Sequence, residues 1–455
     1  MSLISKFVLF AASVILSLQI LQGCKDRPSS DVTKKEVVET PQEISVKAED
    51  IIKGTLEKIL TNNPELPDSF RVKNAGILHE MYQHREFKPL WFSEGRFVQR
   101  TDSFLSLLDS CMLLGMFPSD YYHKRIHMLR LQLLTDTARE KKMDASQWAF
   151  ADLMLSSAFV QLVKDVKIGR LLPDSIIAKD STLTYEFFNS EWDVLGQVSN
   201  DSFTKRLEPH HRGYWDIRAA LPNFLRKADL TNYTFVASKD SSELRSLIYK
   251  RLTEEDTSLV QQTPDSLAIV DAIKKYQERK KLKVDGKITS ALLNLLNDTD
   301  LEKFVRIAIN LDRFKQLQPL PSQHIWVNIP GFYLELREKD SLVLTSKVCV
   351  GKPVTKTPVI TSAITDMVTY PKWTIPESIV KQEILPGLKK DPGYTIRKGY
   401  SLIDKDGNVV DPYTVTWSNY KNYIPYKVVQ GSGDDNALGV LKFNFPNKHA
   451  VYLHD

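Results

Sequence analysis

The sequence predicts an α+β multidomain protein, with a helical N-terminal body, a smaller helical unit and an antiparallel β domain that carries an inserted lid. Three observations predict it. Apolar residues recur at spacings of three and four from about residue 51 to 236, and again in a shorter run over 240–299. At Gln323 the apolar period changes from 3.6 to 2. From about Pro371 to Pro425 a stretch rich in Pro, Tyr, Trp and Lys breaks that alternation. A chain of 455 residues, 42% of them hydrophobic, has material for about three domains.

Lys6, the apolar run from Phe7 to Ile20 and Leu21-Gln22-Gly23-Cys24 form a targeting segment over 1–24. The run is shorter than the roughly 20 residues that a membrane helix needs. A cysteine directly after Gly23 resembles the lipobox of bacterial lipoproteins, so Cys24 is the expected lipidation site. Residues 25–50 are polar, charged and low in aromatics, and are expected to be a flexible tether.

In the helical body, 51–236, Asp102 is expected to cap a helix carrying Phe104, Leu107, Leu108 and Cys111, with Gly115 as its end. Leu155, Phe159, Leu162 and Val166 share a helix face, stopped at Gly169. In the smaller unit Pro264 opens a helix bearing Ile269, Ile273 and Tyr276. A turn at Val284-Asp285-Gly286 follows, and Thr289 caps a helix with Leu292, Leu293 and Leu296. A helix from about Leu301 to Leu317 is expected to open the last domain, 300–455. There Ile325, Val327 and Ile329 alternate with His324, Trp326 and Asn328. A turn at Lys339-Asp340 and a return strand over Leu342 to Val350 follow. The 371–425 segment is read as a lid over a groove.

The net charge of +5, from 61 basic and 56 acidic residues, is too small for a nucleic-acid footprint. Cys111 and Cys349 fall in different domains and make a poor disulfide framework. Cys111 is expected to be buried, and Cys349 to pack within its strand. His79 and His84 are five positions apart, which sets their rings about 140° apart on a helix and spoils a zinc pair. His123 and His127 have the better i,i+4 spacing, but no third ligand stands near them in sequence, so a solvated face is expected and no metal or cofactor is assigned. Insert aromatics (Trp373, Tyr394, Tyr413, Trp417, Tyr420, Tyr423, Tyr426) serve either as a wall against substrate or as the insert's own core. In the strand Val451-Tyr452-Leu453-His454, period 2 places Tyr452 and His454 on one face, an imidazole beside a phenol.

VCVGKPVTKTPVITSAIT, YPKWTIPESIVKQEILPGLKKDPGY and NALGVLKFNFPNKHAVYLHD together resemble the catalytic domain of large bacterial L,D-transpeptidases. YQHREFKPLWF, GMFPSDYY and IGRLLPDS are similar to that family's helical scaffold domain, and AIKKYQERKKLKVDGKITSALLNLLN to a three-helix peptidoglycan-binding repeat. The resemblance implies a scaffold over 51–236, a peptidoglycan-binding-like unit over 240–299 and a YkuD-type catalytic domain over 300–455 with a capping insert. It also implies 3-3 cross-linking of peptidoglycan by cysteine acyl transfer. His454 matches the catalytic histidine, whose cysteine lies in an S-x-G-C segment a loop further on. That segment falls after Asp455, so the catalytic domain is expected to be incomplete over these residues and inactive on its own. Trp373, in the family pattern YPxWxxP, is an expected substrate contact, as is Tyr452 on the face of His454; Asn436 and Gly439, in NALG, are assigned to the substrate site as shaping a turn beside the groove. The implied partners are stem peptides and glycan, and the membrane through a lipid on Cys24. The expected location faces the periplasm, with the outer membrane of a Gram-negative envelope favoured because Lys25 gives no aspartate-type retention signal. The alternative reading is a non-catalytic peptidoglycan-binding lipoprotein.

Overall fold

The computed structural model describes residues 35–62, 66, 70–140, 143–172, 183–260, 265–339 and 341–455. The targeting segment, Cys24, Pro264 and Asp340 lie outside the described residues. The chain divides into two compact units between His324 and Ile325. Among the described residues no helix is long and apolar enough to cross a membrane.

The first unit is helical. Its centre is the helix Ala145–Ile168, buried on nearly every side. Asp144 caps it by accepting from the Ser146 amide, and Gly169, at φ 80, ends it. The polar groups that such a buried helix carries are satisfied locally. Asp152 accepts from the Leu90 and Trp91 amides at 3.1 and 2.8 Å and from the Tyr82 hydroxyl. Ser156 bonds Tyr82 and Trp91 Nε1, each at 2.7 Å.

The tether expected over 25–50 ends earlier than its composition suggests. Strand β1 (Val37–Val38) and the helix Pro41–Asn62 are already part of the fold. Ile44, Ala48, Ile52, Leu56 and Ile59 recur at helical spacing and are buried in the main core. The hairpin β2 (Phe92–Ser93) and β3 (Arg96–Phe97) follows, and β4 (Met143–Asp144) pairs with β1. Asp102 is not a cap. Its helix, Gln99–Asp109, starts three residues earlier behind Val98, and the Asp102 carboxylate instead meets Arg130 at 2.6 Å.

Residues 240–297 build a small core of their own from Ile248, Leu252, Ala272, Ile273, Tyr276, Leu292 and Leu296. Asp240, Asp265 and Thr289 cap its helices Ser241–Glu255, Ser266–Arg279 and Ser290–Asn297. Gln277 Oε1 accepts from the Asp285 and Gly286 amides and holds the expected turn, where Gly286 has φ +70. The helix Asp300–Gln316, expected to open the catalytic domain, packs instead with Arg212–Lys227 in the first unit. Its apolar face (Phe304, Ala308, Leu311) is buried there, which the sequence period alone could not assign to a partner.

The second unit holds three sheets. Strands β5 (Gln323–Asn328), β6 (Tyr333–Glu338) and β7 (Ser341–Lys347) form one in that order. Strand β8 (Asp366–Thr369) pairs with β13 (Leu441–Asn444), which pairs with β14 (Leu453–His454). Between them the insert forms a compact body: β9 (Trp373–Thr374), β10 (Tyr400–Ile403), β11 (Val409–Val410) and β12 (Lys427–Gln430) make a sheet in the order β11-β10-β12-β9. Short helical segments between Glu377 and Arg397 cover it. Its sheet thus runs to Gln430, five residues past Pro425. The return strand expected over 342–350 stops at Lys347. The apolar residues of β5 and β7 stay open to solvent, with Leu342, Val343 and Leu344 at 52%, 56% and 53% exposure.

Candidate active site

The sequence places His454 in a two-residue strand, and the structure pairs that strand with β13 so that His454 faces Lys442 and Leu453 faces Phe443. Tyr452 lies two residues before His454, and their rings are 5.9 Å apart, tilted by 54°. Lys442 Nζ stands 4.1 Å from the centre of the Tyr452 ring. An imidazole, a phenol and an ammonium therefore share one small surface. His454 is exposed, so its imidazole is open to solvent.

His454 Nδ1 lies 3.1 Å from the Asp455 backbone oxygen. The backbone oxygen can only accept, so this contact favours the tautomer with the proton on Nδ1, in which the Nε2 lone pair can accept a proton. The Asp455 carboxylate is fixed as well. It accepts from the Leu441 amide at 2.8 Å, and that bond holds it below the usual carboxylate range. Gly439 admits it: φ is +61, and a Cβ there would stand 2.2 Å from Asp455 Oδ1.

Asn436 is committed to shaping the turn before β13. Its amide donates to Pro371 O at 3.0 Å and to Gly431 O at 2.6 Å, and its oxygen accepts from the Leu438 amide at 2.7 Å. The side chain ties the entry of the insert to the turn that leads toward His454. Trp373 is half-buried against the insert core of Ile375, Ile384, Leu388, Leu402 and Trp417. Trp417, Tyr420 and Tyr426 cluster within that core, with ring centres 6.0–6.4 Å apart. Tyr413 and Tyr423 are the insert aromatics most open to solvent, each 64% exposed. The structure thus brings Tyr452, Gly439 and His454 together, and gives Trp373 and Asn436 packing and turn-forming contacts.

The two cysteines among the described residues differ. Cys111 is fully buried, and burial pushes its thiol up to about 12, so it stays protonated. It sits in the tight turn Cys111–Leu114 just after its helix. Cys349 is exposed and lies beyond the end of β7, a correction to the packed strand position expected for it. The alternation of Val348 and Val350 misled, because it continues past the last ladder bond.

His79 and His84 diverge, the first toward Phe87 and the second toward Tyr185. His123 and His127 do have a third neighbour. Asp109 stands against both, from a different helix. Sequence spacing could not show it, since Asp109 is 14 residues upstream of His123 across a turn. Lys442 was missed too, because cross-strand partners emerge only once register is known.

Comparison with known proteins agrees with this layout. A family model described as Scaffold domain matches residues 77–221, and one described as the L,D-transpeptidase catalytic domain, YkuD, matches 322–455. A curated protein of Haemophilus influenzae, assigned by name to the L,D-transpeptidases, is 40% identical over 152 residues. The match covers 33% of this chain, and the chain spans about 30% of the length of that relative.

Proposed function

We propose that this chain is a member of the L,D-transpeptidase family, serving cysteine-dependent acyl transfer on peptidoglycan stem peptides and forming 3-3 cross-links, a reading supported by the scaffold and catalytic-domain matches. The observation that carries this reading is His454, held at the end of a paired strand with Nδ1 facing a backbone oxygen and Nε2 free. In this reading Nε2 takes the proton of a thiol, and the thiolate attacks the carbonyl of the third stem residue. The bond to D-Ala breaks, and the acyl group passes from sulfur to a side-chain amine of a neighbouring stem. In the family the thiol comes from an S-x-G-C segment that follows the matching histidine. Lys442, opposite His454, offers a cation to an anionic group of the substrate.

The test uses the protein carrying that segment. His454→Ala should abolish covalent acylation by a carbapenem, read by mass spectrometry, while muropeptide binding persists. Unchanged acylation removes His454 as the base. If the unmodified protein takes no acyl group but holds muropeptides, a non-catalytic peptidoglycan-binding role replaces this one. We also propose that a lipid on Cys24 anchors the protein facing the periplasm, most simply in the outer membrane. This rests on the Leu21-Gln22-Gly23-Cys24 motif. Cys24→Ala should move the protein from the detergent phase to the aqueous phase on phase partitioning; retention in detergent refutes lipidation.

A further inference from the structure

We propose that Asp109, His123 and His127, in the helical unit, form a binding site for a divalent transition-metal ion, with zinc as the reference ion. His123 Nε2 and His127 Nε2 approach the same oxygen, Asp109 Oδ1, at 2.7 and 2.9 Å. One ligand atom from each residue lies within 4.8 Å of the other two. The imidazole rings face each other one helical turn apart, with centres 4.7 Å apart.

Two imidazoles and a carboxylate are borderline ligands, the set that suits zinc, nickel and copper rather than magnesium or calcium. Around a tetrahedral zinc, ligand atoms stand roughly 3.3 Å apart, given bonds of about 2.0–2.1 Å. The two spacings to Asp109 need to open by only about half an ångström to reach that, and the two imidazole nitrogens lie within 4.8 Å of each other. The side chains have room to do so, being 27%, 37% and 52% exposed for His123, His127 and Asp109. That exposure also leaves the remaining coordination positions to water.

The backbone supports a cation here. Asp109 is the last residue of the helix Gln99–Asp109, whose negative dipole end repels a carboxylate and attracts positive charge. His123 opens the helix His123–Glu140. The two helices are fixed below the site by buried Leu105, Leu108 and Ile126, and further along by the Asp102–Arg130 pair. A metal would therefore staple the end of one helix to the start of the next. It would raise the unfolding temperature by mass action.

The test compares the metal-stripped full-length protein with its His123→Asn/His127→Asn and Asp109→Asn variants, titrated with zinc alone in a calorimeter. Other zinc-binding groups of the chain are common to all three, so the difference isolates this site. The double variant should bind one zinc fewer per chain, and Asp109→Asn should weaken that site about tenfold or more. The zinc-induced rise in unfolding temperature should vanish in the double variant, with an unchanged far-ultraviolet circular dichroism spectrum showing that it folds. Equal stoichiometry and affinity in the native and double-variant proteins would overturn the proposal and leave a hydrogen-bonded cluster only.

Discussion

Asp152 is fully buried, and burial pushes its carboxyl up to about 6 against the bonds from Tyr82, Trp91 and Leu90 that favour the anion. Its proton is therefore held more tightly in the folded chain than in the unfolded one. Below the unfolded value, near 3.8, both states are protonated and the contribution to stability is full. Between there and about 6 the unfolded chain releases its proton first, and stability falls; above that range the contribution is gone. Asp152→Asn does not titrate. The unfolding free energy of the native protein minus that of the variant should thus drop by up to about 3 kcal/mol between roughly pH 4 and 6. Denaturation of the helical unit at a series of pH values measures it, and a flat difference would show that the hydrogen bonds fully offset burial. At this scale the sequence was legible where chemistry follows strand period, as for His454 beside Tyr452. It was opaque where the partner arrives through tertiary packing, as for Asp109 beside His123 or Lys442 over Tyr452.

Between elements, the helix Asp300–Gln316 is clamped onto the central helix by a buried ionic cluster. Lys315 Nζ pairs with Asp312 at 3.0 Å and donates to the Asp165 carbonyl at 3.1 Å. Arg170 Nε donates to Asp312 from the other side at 3.0 Å. Gly169 makes room, since a Cβ there would come within 3.2 Å of Asp312 O. Asp312→Ala would leave Lys315, with no side-chain exposure, without a carboxylate and take from Arg170 its closer one, Asp120 remaining at 3.7 Å, and should destabilise the helical unit by about 3–5 kcal/mol. Lys315→Met should cost much less, because Asp312 keeps Arg170 and an apolar chain fills the space. Denaturant unfolding of both variants checks the ordering, and equal losses would contradict it. The spacing of Leu155, Phe159, Leu162 and Val166 revealed the central helix, and the Thr289 cap was visible from residue type. The start of the fold was not, because the apolar positions Ile44, Ala48 and Ile52 are diluted by Glu and Lys, so composition masked the period. Asp102 failed as a cap because Arg130 claims its carboxylate, a competition that residue type does not encode.

Across the whole molecule, the change of period at Gln323 falls beside the division of the chain between His324 and Ile325, so the boundary between helical and β units was legible. Burial within the β unit was not. Alternation in β5 implied a covered apolar face, yet Ile325 and Val327 are each 36% exposed, as the more weakly buried positions of the strand. Buried cores lie in the helical unit and in the insert, and the β5-β6-β7 sheet contributes to none of them among the described residues. Strand β7 is also an edge, so its free backbone groups and half-exposed Leu342, Val343 and Leu344 lie together. An apolar edge of this kind templates pairing with another chain. Residues 1–455 should accordingly self-associate as concentration rises. Leu342 and Leu344 flank the bulge at Val343, opposite Arg337 and Leu336, and burying the exposed half of each on association is worth about 1 kcal/mol. Changing both to Lys removes that gain and sets like charges against each other across any contact between copies. The association constant measured by sedimentation should fall about thirtyfold or more, since 2 kcal/mol corresponds to roughly that factor. Association of equal strength in the double variant would mean that another surface holds the copies together.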